Sequence, residues 1–577
     1  MCSSSHIAPV SPPHRRLAPV EILVHPAGDG ATVHLVELGT EARTTAQRTC
    51  AREELAQVVG HRERQDAPRW VWADTATLAP DLIGAGVRVS RCLDLRLCRV
   101  ILQHALPDRD WPELGWRSTH PAAPGEASPP TLWDEALTVA LGLDDVLAER
   151  ARQHDAITAC PQPERMRLLL AAESAGALIA AEIAADGLPW DRTAHEQILS
   201  RMLGPRPATG ARPARLEALA AQIRAHLAAP ALNPDSQPDL LRALRRAGLD
   251  VSTTSKWEVG RLDHPVVEPL LEYKKLARLL SANGWVWLDQ WIRPGPSEHQ
   301  QHRFRPDYVP GGVVTGRWAT SGGGALQLPK SLRRAVRADA GWRLVVADAA
   351  QIEPRVLAAI AGDDALAQAG RAGDLYQGLV DRGIMATRAD AKIAMLGALY
   401  GATTGEAGLL MPRLMRAYPR ATGVVEQAAR TGEAGGTVRT WLGRTSPPPP
   451  AAWHERQAAA SQPDATDAVE RRARQSARDW GRFTRNFVVQ GTAAEWALCW
   501  MAEIRRRLAA LAPLPGRAHL VFFLHDEVIV HAPAEAAEEV ADQIRASATE
   551  AGRLLFGRTA VAFPLDVAIV ENYGDAE

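Results

Sequence analysis

Lysine is scarce in this chain. Its 577 residues include 66 lysines and arginines together. The lysines among them are Lys256, Lys274, Lys275, Lys330 and Lys392. Arginine carries the rest of the positive charge. Because an ammonium and a guanidinium group bind ligands differently, each of these lysines is a candidate for a specific role.

Paired cysteines are missing as well. The six cysteines, at positions 2, 50, 92, 98, 160 and 499, form no Cys-x-x-Cys pair. This spacing argues against a zinc site and against a disulfide framework, and we expect reduced thiols in a cytoplasmic protein. No uninterrupted apolar run reaches the roughly 18 residues of a membrane helix, so we expect no membrane partner.

An excess of charge of either sign is also lacking, since the formal net charge is −1. The overall charge does not point to a nucleic-acid partner, although a local basic cleft would suffice for phosphate contacts. Residues 1–19 are rich in proline and serine, lack a long apolar core, and are predicted to be a disordered tail rather than a signal peptide. The chain is too long for one hydrophobic core, which predicts two or more domains.

Short apolar strands alternate with helical patterns near the N-terminus, which predicts a small α/β domain. The strands are predicted at 21–24, 32–38, 70–72 and 87–89. Most of the chain from 132 to 290, from 364 to 430 and from 469 to 509 has helical periodicity. Strand-like runs are predicted in 300–360, and a strand pair, a helix and a last strand in 518–570. The proline run in Ser446–Ala451 predicts an exposed loop.

Two carboxylates are predicted at the ends of strands. Residues 344–348 read Leu-Val-Val-Ala-Asp, a buried strand that ends at Asp348, and Pro354 suits the first turn of the helix that follows. Residues 525–527, His-Asp-Glu, lie between two strongly apolar runs, which is typical of a tight β-hairpin with acids at its tip. A single aspartate at a strand end is usually a structural cap. Two of them on adjacent strands can hold a pair of Mg²⁺ ions.

One helix between these acids has a stripe of side chains. Arg388, Lys392, Leu396 and Tyr400 recur every four residues and therefore share one face. Two cations followed by an apolar and an aromatic residue can bind a triphosphate and then its sugar and base. The alternative is a solvated basic edge beside a core-facing leucine and tyrosine, and the helix alone favours that alternative.

Several segments together resemble the motifs of family A DNA polymerases, the bacterial DNA polymerase I type. The helix resembles R-x3-K-x3-F/Y-x3-Y-G, and Asp348–Arg355 resembles D-Y-S-Q-I-E-L-R. His525-Asp526-Glu527 matches H-D-E. The remaining segments resemble T-G-R…Q-N-I-P, T-x-x-G-R and N-x3-Q-G-T-A-A; they are Thr315–Arg317 with Gln327–Pro329, Thr440–Arg444 and Asn486–Ala494. All occur in the family's order, and the resemblance covers roughly residues 180–577.

The resemblance implies an α/β multidomain fold: a right-hand polymerase preceded by a degenerate RNase H-like 3′–5′ exonuclease domain. After the tail, the implied limits are 20–175 for the exonuclease-like domain and 176–300 for the thumb. The first part of the palm would be 301–375, the fingers 376–514, and the second part of the palm 515–577. The implied activity is template-directed addition of dNTPs to a primer 3′ end, in DNA replication or repair.

The resemblance also implies roles for individual residues. Asp348 and Asp526 would hold two Mg²⁺ ions, with Mn²⁺ as an alternative, and Glu527 would be an accessory acid. Arg388 and Lys392 would bind the triphosphate, and Lys392 would donate a proton to pyrophosphate. Glu353 would be a steric gate against ribose. The other residues implied in nucleotide binding are Gln351, Leu396 and Tyr400.

The implied partners are primer-template DNA and dNTPs, bound by a monomer in the cytoplasm, at the nucleoid. Minor-groove acceptors are shared by every base pair, so contacts there check pair geometry without reading sequence. The residues implied in these DNA contacts are Arg317, Asn486, Gln490 and His525, with Gln327 and Arg482 as further candidates.

This sequence departs from the family pattern at several places. Leu396 stands where the family has an aromatic ring, and Asp374-Leu375-Tyr376 stands where it has D-I-H. Ala349 and Ala350 replace tyrosine and serine. These changes put the affinity for nucleotides and the rate of nucleotide addition in doubt. They leave the predicted metal site intact.

The exonuclease-like domain lacks the acids that its proposed ancestry requires. The family's proofreading motifs are D-x-E, N-x3-D and Y-x3-D, and residues 1–170 contain no D-x-E. The second motif aligns with Trp70–Asp74, and the third with Leu170–Ser174. Asp74 is then the one acid kept, with Glu173 or Asp94 as possible substitutes, and loss of 3′–5′ exonuclease activity is the expectation.

Two other functions remain open. A single-subunit RNA polymerase shares the two aspartates and the Lys/Tyr helix, but Glu353 and the intact His-Asp-Glu argue against it. A non-catalytic DNA-binding protein derived from a polymerase is the second alternative. Retention of Asp348, Asp526, Arg388 and Lys392 argues against that one.

Overall fold

The structure is a computed structural model, and it describes residues 20–114, 116, 141–295, 300–371, 373–401, 405–511 and 517–576. The predicted tail, 1–19, lies outside the described residues, as does part of the helix predicted from 132. Two compact units divide the chain, with the boundary between residues 175 and 176. The limits predicted for thumb, palm and fingers stay predictions.

The first unit is built on a five-stranded sheet with the order β3-β2-β1-β4-β5. The first three strands are antiparallel, and β1, β4 and β5 are parallel neighbours. A helix connects β4 to β5, as a parallel pair requires. The strands are β1 Glu21–Pro26, β2 Thr32–Leu38, β3 Thr44–Ala51, β4 Arg69–Trp72 and β5 Arg91–Asp94; the helices are α1 Leu55–Gln65, α2 Thr75–Gly84, α3 Leu95–Ala105, α4 Leu143–Ala159 and the beginning of α5 Pro163–Asp186.

Two strands of this sheet differ from the prediction. Strand β3 was not expected, because six of its eight side chains are exposed and polar residues dominate it. The strand predicted at 87–89 is wrong, and the edge strand is β5 instead. The α/β character of the unit is as predicted.

The second unit is mostly helical. Its helices are α6 Arg192–Leu203, α7 Ala214–His226, α8 Gln237–Arg246, α9 Lys256–Val259, α10 Val267–Asn283, α11 Trp285–Trp291, α12 Ile352–Ala361, α13 Asp364–Ala369, α14 Leu375–Asp381, α15 Arg388–Tyr400, α16 Gly405–Ala417, α17 Pro419–Glu433, α18 Ala451–Ala460, α19 Asp467–Ala510 and α20 Ala537–Phe556. Its strands are β6 Leu188–Trp190, β7 Ile292–Arg293, β8 His302–Phe304, β9 Asp307–Val309, β10 Ala319–Gly322, β11 Trp342–Ala349, β12 His519–Leu524, β13 Glu527–Pro533 and β14 Leu565–Val570.

A four-stranded antiparallel sheet with the order β12-β13-β11-β14 forms the centre of this unit. Strand β11 contains the apolar run Leu344–Ala347 and β13 the apolar run Val528–Val530, and most side chains of both strands are buried. Helix α20 packs against β11 and β14, and α19 packs against α20. Burial of such runs is the main contribution to the stability of a sheet core.

Helix α15 begins and ends with strong local signals. Thr387 accepts a hydrogen bond from the Asp390 backbone N–H at its N-terminus, and the Asp390 side chain accepts one in return. Gly401 ends the helix with φ +71°, a conformation that favours glycine. These signals set the two ends of the helix that carries the predicted Arg388–Tyr400 stripe.

Two sequence expectations need correction. The proline run is not an exposed loop throughout, because Ser446 and Pro449 are buried, and the Ser446 Oγ accepts a hydrogen bond from the Val438 backbone N–H at 3.1 Å. Among the described residues, one helix, α5, is long and apolar enough to cross a membrane. Of its most apolar 18-residue window, 67% is buried inside the protein, a property shared by core helices.

Candidate active site

The strand pairing brings three acids into one row. Asp348 on β11 lies opposite Glu527 on β13 and, on its other side, opposite Asp566 on β14. Directly opposed residues of antiparallel strands project from the same face of a sheet. Asp526 lies in the turn between β12 and β13, where its backbone oxygen accepts a hydrogen bond from the Ala349 N–H at 2.9 Å.

This row is electrostatically unfavourable without a cation. Burial raises the pKa of Asp348 to about 7, and the negative charges of Asp526, Glu527 and Asp566 contribute to the shift. Burial also raises the pKa of Asp526. Like charges on opposed strand positions destabilise a sheet, so the donor set has the chemistry of a divalent-cation site.

The acids fit a cation that takes few protein ligands. Among the described residues, no group of three or more His, Cys, Asp or Glu side chains is arranged to enclose a metal ion. Magnesium characteristically uses one or two carboxylates, with substrate phosphates and water completing the octahedron. Asp348 and Asp526 match that requirement.

Glu527 differs from its two neighbours. It is buried, it accepts a hydrogen bond from the Tyr573 hydroxyl, and its Oε2 lies 3.5 Å from an Arg333 nitrogen. The Arg333 guanidinium also lies 4.3 Å from the Tyr573 ring centroid. Because the protein already engages this carboxylate, its role as an accessory acid stays a prediction.

Backbone strain marks both sides of the acidic site. Gln351 has φ +57° and His525 has φ +60°, and neither is glycine. Such conformations cost about 1–3 kcal/mol each and cluster at functional sites. Gln351 follows β11 and begins α12, so this turn separates Asp348 from Glu353.

The predicted sugar gate has partners on both oxygens. Glu353 Oε1 forms an ion pair with Arg317, and Oε2 accepts a hydrogen bond from the Tyr400 hydroxyl at 2.9 Å. The loop before β10, the start of α12 and the end of α15 therefore meet at one carboxylate. A fixed carboxylate is what a gate against a larger sugar requires.

Arg388 and Lys392, the cations predicted to bind the triphosphate, both lie on α15. Arg388 Nε donates to Asp374 Oδ2 at 2.6 Å, and Lys392 is exposed. Gln351 Nε2 donates to Asp374 Oδ1 at 2.8 Å, which links the turn after Asp348 to the start of α14. Arg388 is therefore tied through Asp374 to the turn beside the acids.

A cavity of about 170 Å³ lies beside these groups. Six predicted site residues line it, and apolar side chains such as Trp318 and Phe523 form much of the remaining wall. The six are Arg317, Gln351, Glu353, Leu396, His525 and Asp526. The structure thus brings the sugar gate, one metal-ligand candidate and the stripe leucine to one cavity.

Most predicted DNA-contact residues lie elsewhere in the unit. Thr315 Oγ1 donates to Gln490 Oε1 at 3.1 Å. The Asn486 Oδ1 is buried without a hydrogen-bond partner in the described part of the chain. Gln327 accepts a bond from Arg278 on α10, and Arg482 is exposed and paired with Asp479. Their role in DNA binding stays a prediction.

Sequence reasoning missed Asp566 as a neighbour of Asp348. Its strand was predicted, but the order of the strands in the sheet is a tertiary property. Tyr376 was noted only as a departure from a pattern, although it lines the same cavity as Leu396. The sequence did contain a signal for this position, because Tyr376 follows Asp374 by two residues, as the histidine does in the family's D-I-H pattern.

The acids of the first unit are engaged in its own fold. Asp74 caps α2 and pairs with Arg96, whose Nε lies 2.9 Å from its Oδ2. Asp94 is fully buried and accepts hydrogen bonds from the Thr75 and Leu97 N–H groups at 2.7 and 2.9 Å. Glu173 is buried as well. Asp94 and Glu173 are thus shielded from solvent, and Asp74, whose side chain is 23% exposed, is already paired with Arg96.

The second unit of this α/β multidomain protein thus combines an antiparallel sheet that carries a pair of acids with a helix that carries two cations. The sequence model of DNA polymerase family A matches residues 213–575, more than half of the chain. The chain therefore belongs to DNA polymerase family A.

Individual relatives agree with this assignment. The thermostable DNA polymerase I of Thermus thermophilus is 27% identical over 406 residues, which cover 61% of this chain and 45% of the relative. DNA polymerase I of Chloroflexus aurantiacus is 27% identical over 340 residues, which cover 54% of this chain and 33% of the relative. The chain thus spans less than half the length of these curated relatives.

The fold of the whole chain matches a solved polymerase structure. The POL domain of Pol1 from M. smegmatis, in complex with DNA primer-template and dNTP, aligns with a TM-score of 0.65 at 18% identity. The match covers 97% of this chain and 96% of that one. The predicted polymerase fold is confirmed, and divalent metal ions are the general cofactors of this family.

Proposed function

We propose that this chain is a template-directed DNA polymerase that adds dNTPs to a primer 3′ end by two-metal phosphoryl transfer, in DNA replication or repair. The observation that carries the proposal is the meeting of the acidic row with the nucleotide-binding groups. Asp526 lines the cavity together with Glu353, and Asp348 lies opposite Glu527, the residue that follows Asp526, in the sheet. Arg388 is linked to the same turn through Asp374 and Gln351.

Asp348 and Asp526 are the residues that would hold the ions, with Mg²⁺ as the metal and Mn²⁺ as an alternative. Two such ions, when bound, would activate the attacking oxygen and stabilise the leaving oxygen. Burial, together with repulsion from the neighbouring acids, raises the pKa of Asp348 to about 7, and this unfavourable concentration of negative charge supports the assignment.

The other residues bind and orient the nucleotide. Arg388 and Lys392 are one helical turn apart on α15, and in this proposal both bind the triphosphate and Lys392 gives a proton to the leaving pyrophosphate. Glu353 is the proposed steric gate against a ribose 2′-hydroxyl, and its contacts with Arg317 and Tyr400, which hold the carboxylate in one position, support this role. This arrangement favours dNTPs over ribonucleotides.

The proposed partners are primer-template DNA and dNTPs. Arg317, Asn486, Gln490 and His525 are the proposed contacts to the primer terminus and the minor groove. The first unit is proposed to be an RNase H-like exonuclease fold without activity, because its remaining acids are capped or paired. We propose a monomer that acts in the cytoplasm, at the nucleoid.

Primer extension tests the function. A labelled primer on a template of defined sequence is incubated with Mg²⁺ and one dNTP at a time. We expect addition only of the complementary nucleotide, and a changed template base must change the nucleotide that is added. Duplex binding without extension would support a non-catalytic DNA-binding protein instead, and preference for rNTPs would support an RNA polymerase.

A further inference from the structure

A second cavity of the second unit is separate from the one lined by Glu353. Its volume is about 730 Å³, and its wall is formed by the loop 227–232, by one face of α8 and by flanking residues that include His264. The two cavities share no lining residue among the described residues. The volume lies in the range of roughly 300–1,000 Å³ that is typical of small-molecule sites. We call this space the α8 cavity.

Most of the wall of the α8 cavity is apolar. The loop 227–232 consists of alanine, leucine and proline, and α8 adds Ala243, with Ala247 directly after the helix. Ala228 in this loop has φ +47°, a left-handed conformation that alanine rarely adopts and that is often found at functional sites. The Arg224 Nε donates to the Leu232 oxygen at 2.9 Å, which fastens the end of the loop to α7. The apolar wall is therefore already formed before a ligand binds.

The rest of the wall carries an excess of positive charge. Arg242 and Arg246 are about one helical turn apart on α8, and both line the cavity. Asp239, the acid of the same wall, is ion-paired with Arg242, so the two charges offset each other. Arg246 is exposed and forms no ion pair or hydrogen bond within the described ranges. Its guanidinium group is therefore available to an anion that enters from solvent.

Two histidines add further hydrogen-bond donors to this wall. The His264 Nδ1 accepts a hydrogen bond from the Val266 N–H at 3.1 Å, so in the neutral ring the proton is on Nε2, which is then a donor. His226, at the end of α7, lines the cavity as well. Together with Arg246, these side chains match the three terminal oxygens of a phosphate monoester better than the two oxygens of a carboxylate.

We propose that the α8 cavity is a binding site for a small organic phosphate. The phosphate group of the ligand accepts hydrogen bonds from Arg246 and from the two histidines, and its apolar body packs against the alanine-rich wall. DNA is the competing ligand, because its backbone also carries phosphate groups. A phosphodiester presents two free oxygens, however, and it would leave the apolar wall uncovered. The site is independent of the proposed polymerase function, since no residue of the acidic row contributes to it.

Calorimetric titration with phenyl phosphate, which joins a phosphate monoester to an apolar ring, tests the proposal. We expect one molecule to bind per chain in Mg²⁺-free buffer, and Arg246→Gln to raise the dissociation constant about tenfold or more, the loss typical of a hydrogen bond between charged groups. Arg201→Gln is the matched control, because Arg201 is an exposed arginine of α6 outside the cavity. Absence of binding, or equal binding by the unmodified protein and Arg246→Gln, would overturn the proposal.

The contribution of the apolar wall is tested separately. Ala247→Leu places a larger side chain in the cavity at an exposed position, so it should weaken phenyl phosphate binding without lowering the thermal unfolding midpoint. Phenol lacks the phosphate group and inorganic phosphate lacks the ring, and each should bind at least about tenfold more weakly than phenyl phosphate. Inorganic phosphate that binds as tightly as phenyl phosphate would contradict a site with an apolar wall.

Two further measurements exclude the other places where a phosphate could bind. Duplex DNA affinity should be the same in Arg246→Gln and the unmodified protein; a lower affinity, without any binding of phenyl phosphate, would make Arg246 a DNA contact and reject the proposal. Phenyl phosphate binding should also persist in Arg388→Gln. Binding that is lost in Arg388→Gln and kept in Arg246→Gln would place the ligand at the proposed triphosphate site instead, and would reject the α8 cavity as its site.

Discussion

The hydroxyl of Tyr400 donates a hydrogen bond to Glu353 at 2.9 Å, while Arg317 pairs with the other carboxylate oxygen. Two side chains from separate chain segments thus hold one acid in the wall of the cavity. Moving this carboxylate aside for a bulkier sugar would cost free energy, because the contacts with both of its partners would be lost.

Glu353→Ala should therefore weaken discrimination between dNTPs and rNTPs. Removing the side chain opens space of the size of a hydroxyl, and we expect the ratio of the two kcat/KM values to fall by about tenfold or more. Both substrates are measured on one template. A ratio equal to that of the unmodified protein would show that Glu353 is not the gate.

The first unit should not shorten a primer. Asp74 is paired with Arg96, and Asp94 has both oxygens engaged by backbone N–H groups, so these acids cannot jointly hold two metal ions. The assay is a 3′-mismatched primer with Mg²⁺ or Mn²⁺ and no dNTPs. Shortening that is lost in Asp74→Ala and kept in Asp348→Ala would prove the unit active.

His195 should make the second unit sensitive to acid. It is fully buried, it accepts a hydrogen bond from the Trp190 indole at 3.3 Å, and its other ring nitrogen lies 3.0 Å from the Asn283 oxygen. Burial lowers the pKa of His195 to about 4. Because this lies below the ordinary value of 6.5, the unfolded chain binds a proton between pH 6.5 and 4 that the folded chain does not.

The free energy of unfolding should accordingly fall as the pH drops through that window, by about 2 kcal/mol at pH 5 for this group. Urea denaturation at several pH values measures it. His195→Gln should flatten the dependence, whereas His226→Gln, at an exposed position, should leave it unchanged. Equal slopes for the unmodified protein and His195→Gln would refute the explanation.

The acidic hairpin was predictable from sequence because its signal is local. Apolar runs on both sides of His525-Asp526-Glu527 predict two paired strands. The structure has β12 and β13 at these positions. The position of Asp348 at the end of β11 follows from similar reasoning. The resemblance to known motifs then supplied roles that local patterns cannot supply.

Other features depend on tertiary structure. Asp566 becomes a neighbour of Asp348 only because β14 pairs with β11, a choice made by the packing of α20 and the sheet. Strand β3 has almost no buried side chains, so no alternation marks it. The partners of Glu527 are also remote in sequence, since Tyr573 follows it by 46 residues.

Asp526→Asn tests the central claim most directly. The variant is nearly isosteric and removes one of the acids that repel each other, so its thermal midpoint should equal or exceed that of the unmodified protein. We expect single-nucleotide addition with Mg²⁺ to slow by on the order of 10³-fold or more, with duplex DNA affinity nearly unchanged, because phosphate contacts elsewhere supply that affinity. Addition at a rate within about tenfold of the unmodified protein would contradict the assignment of the active site.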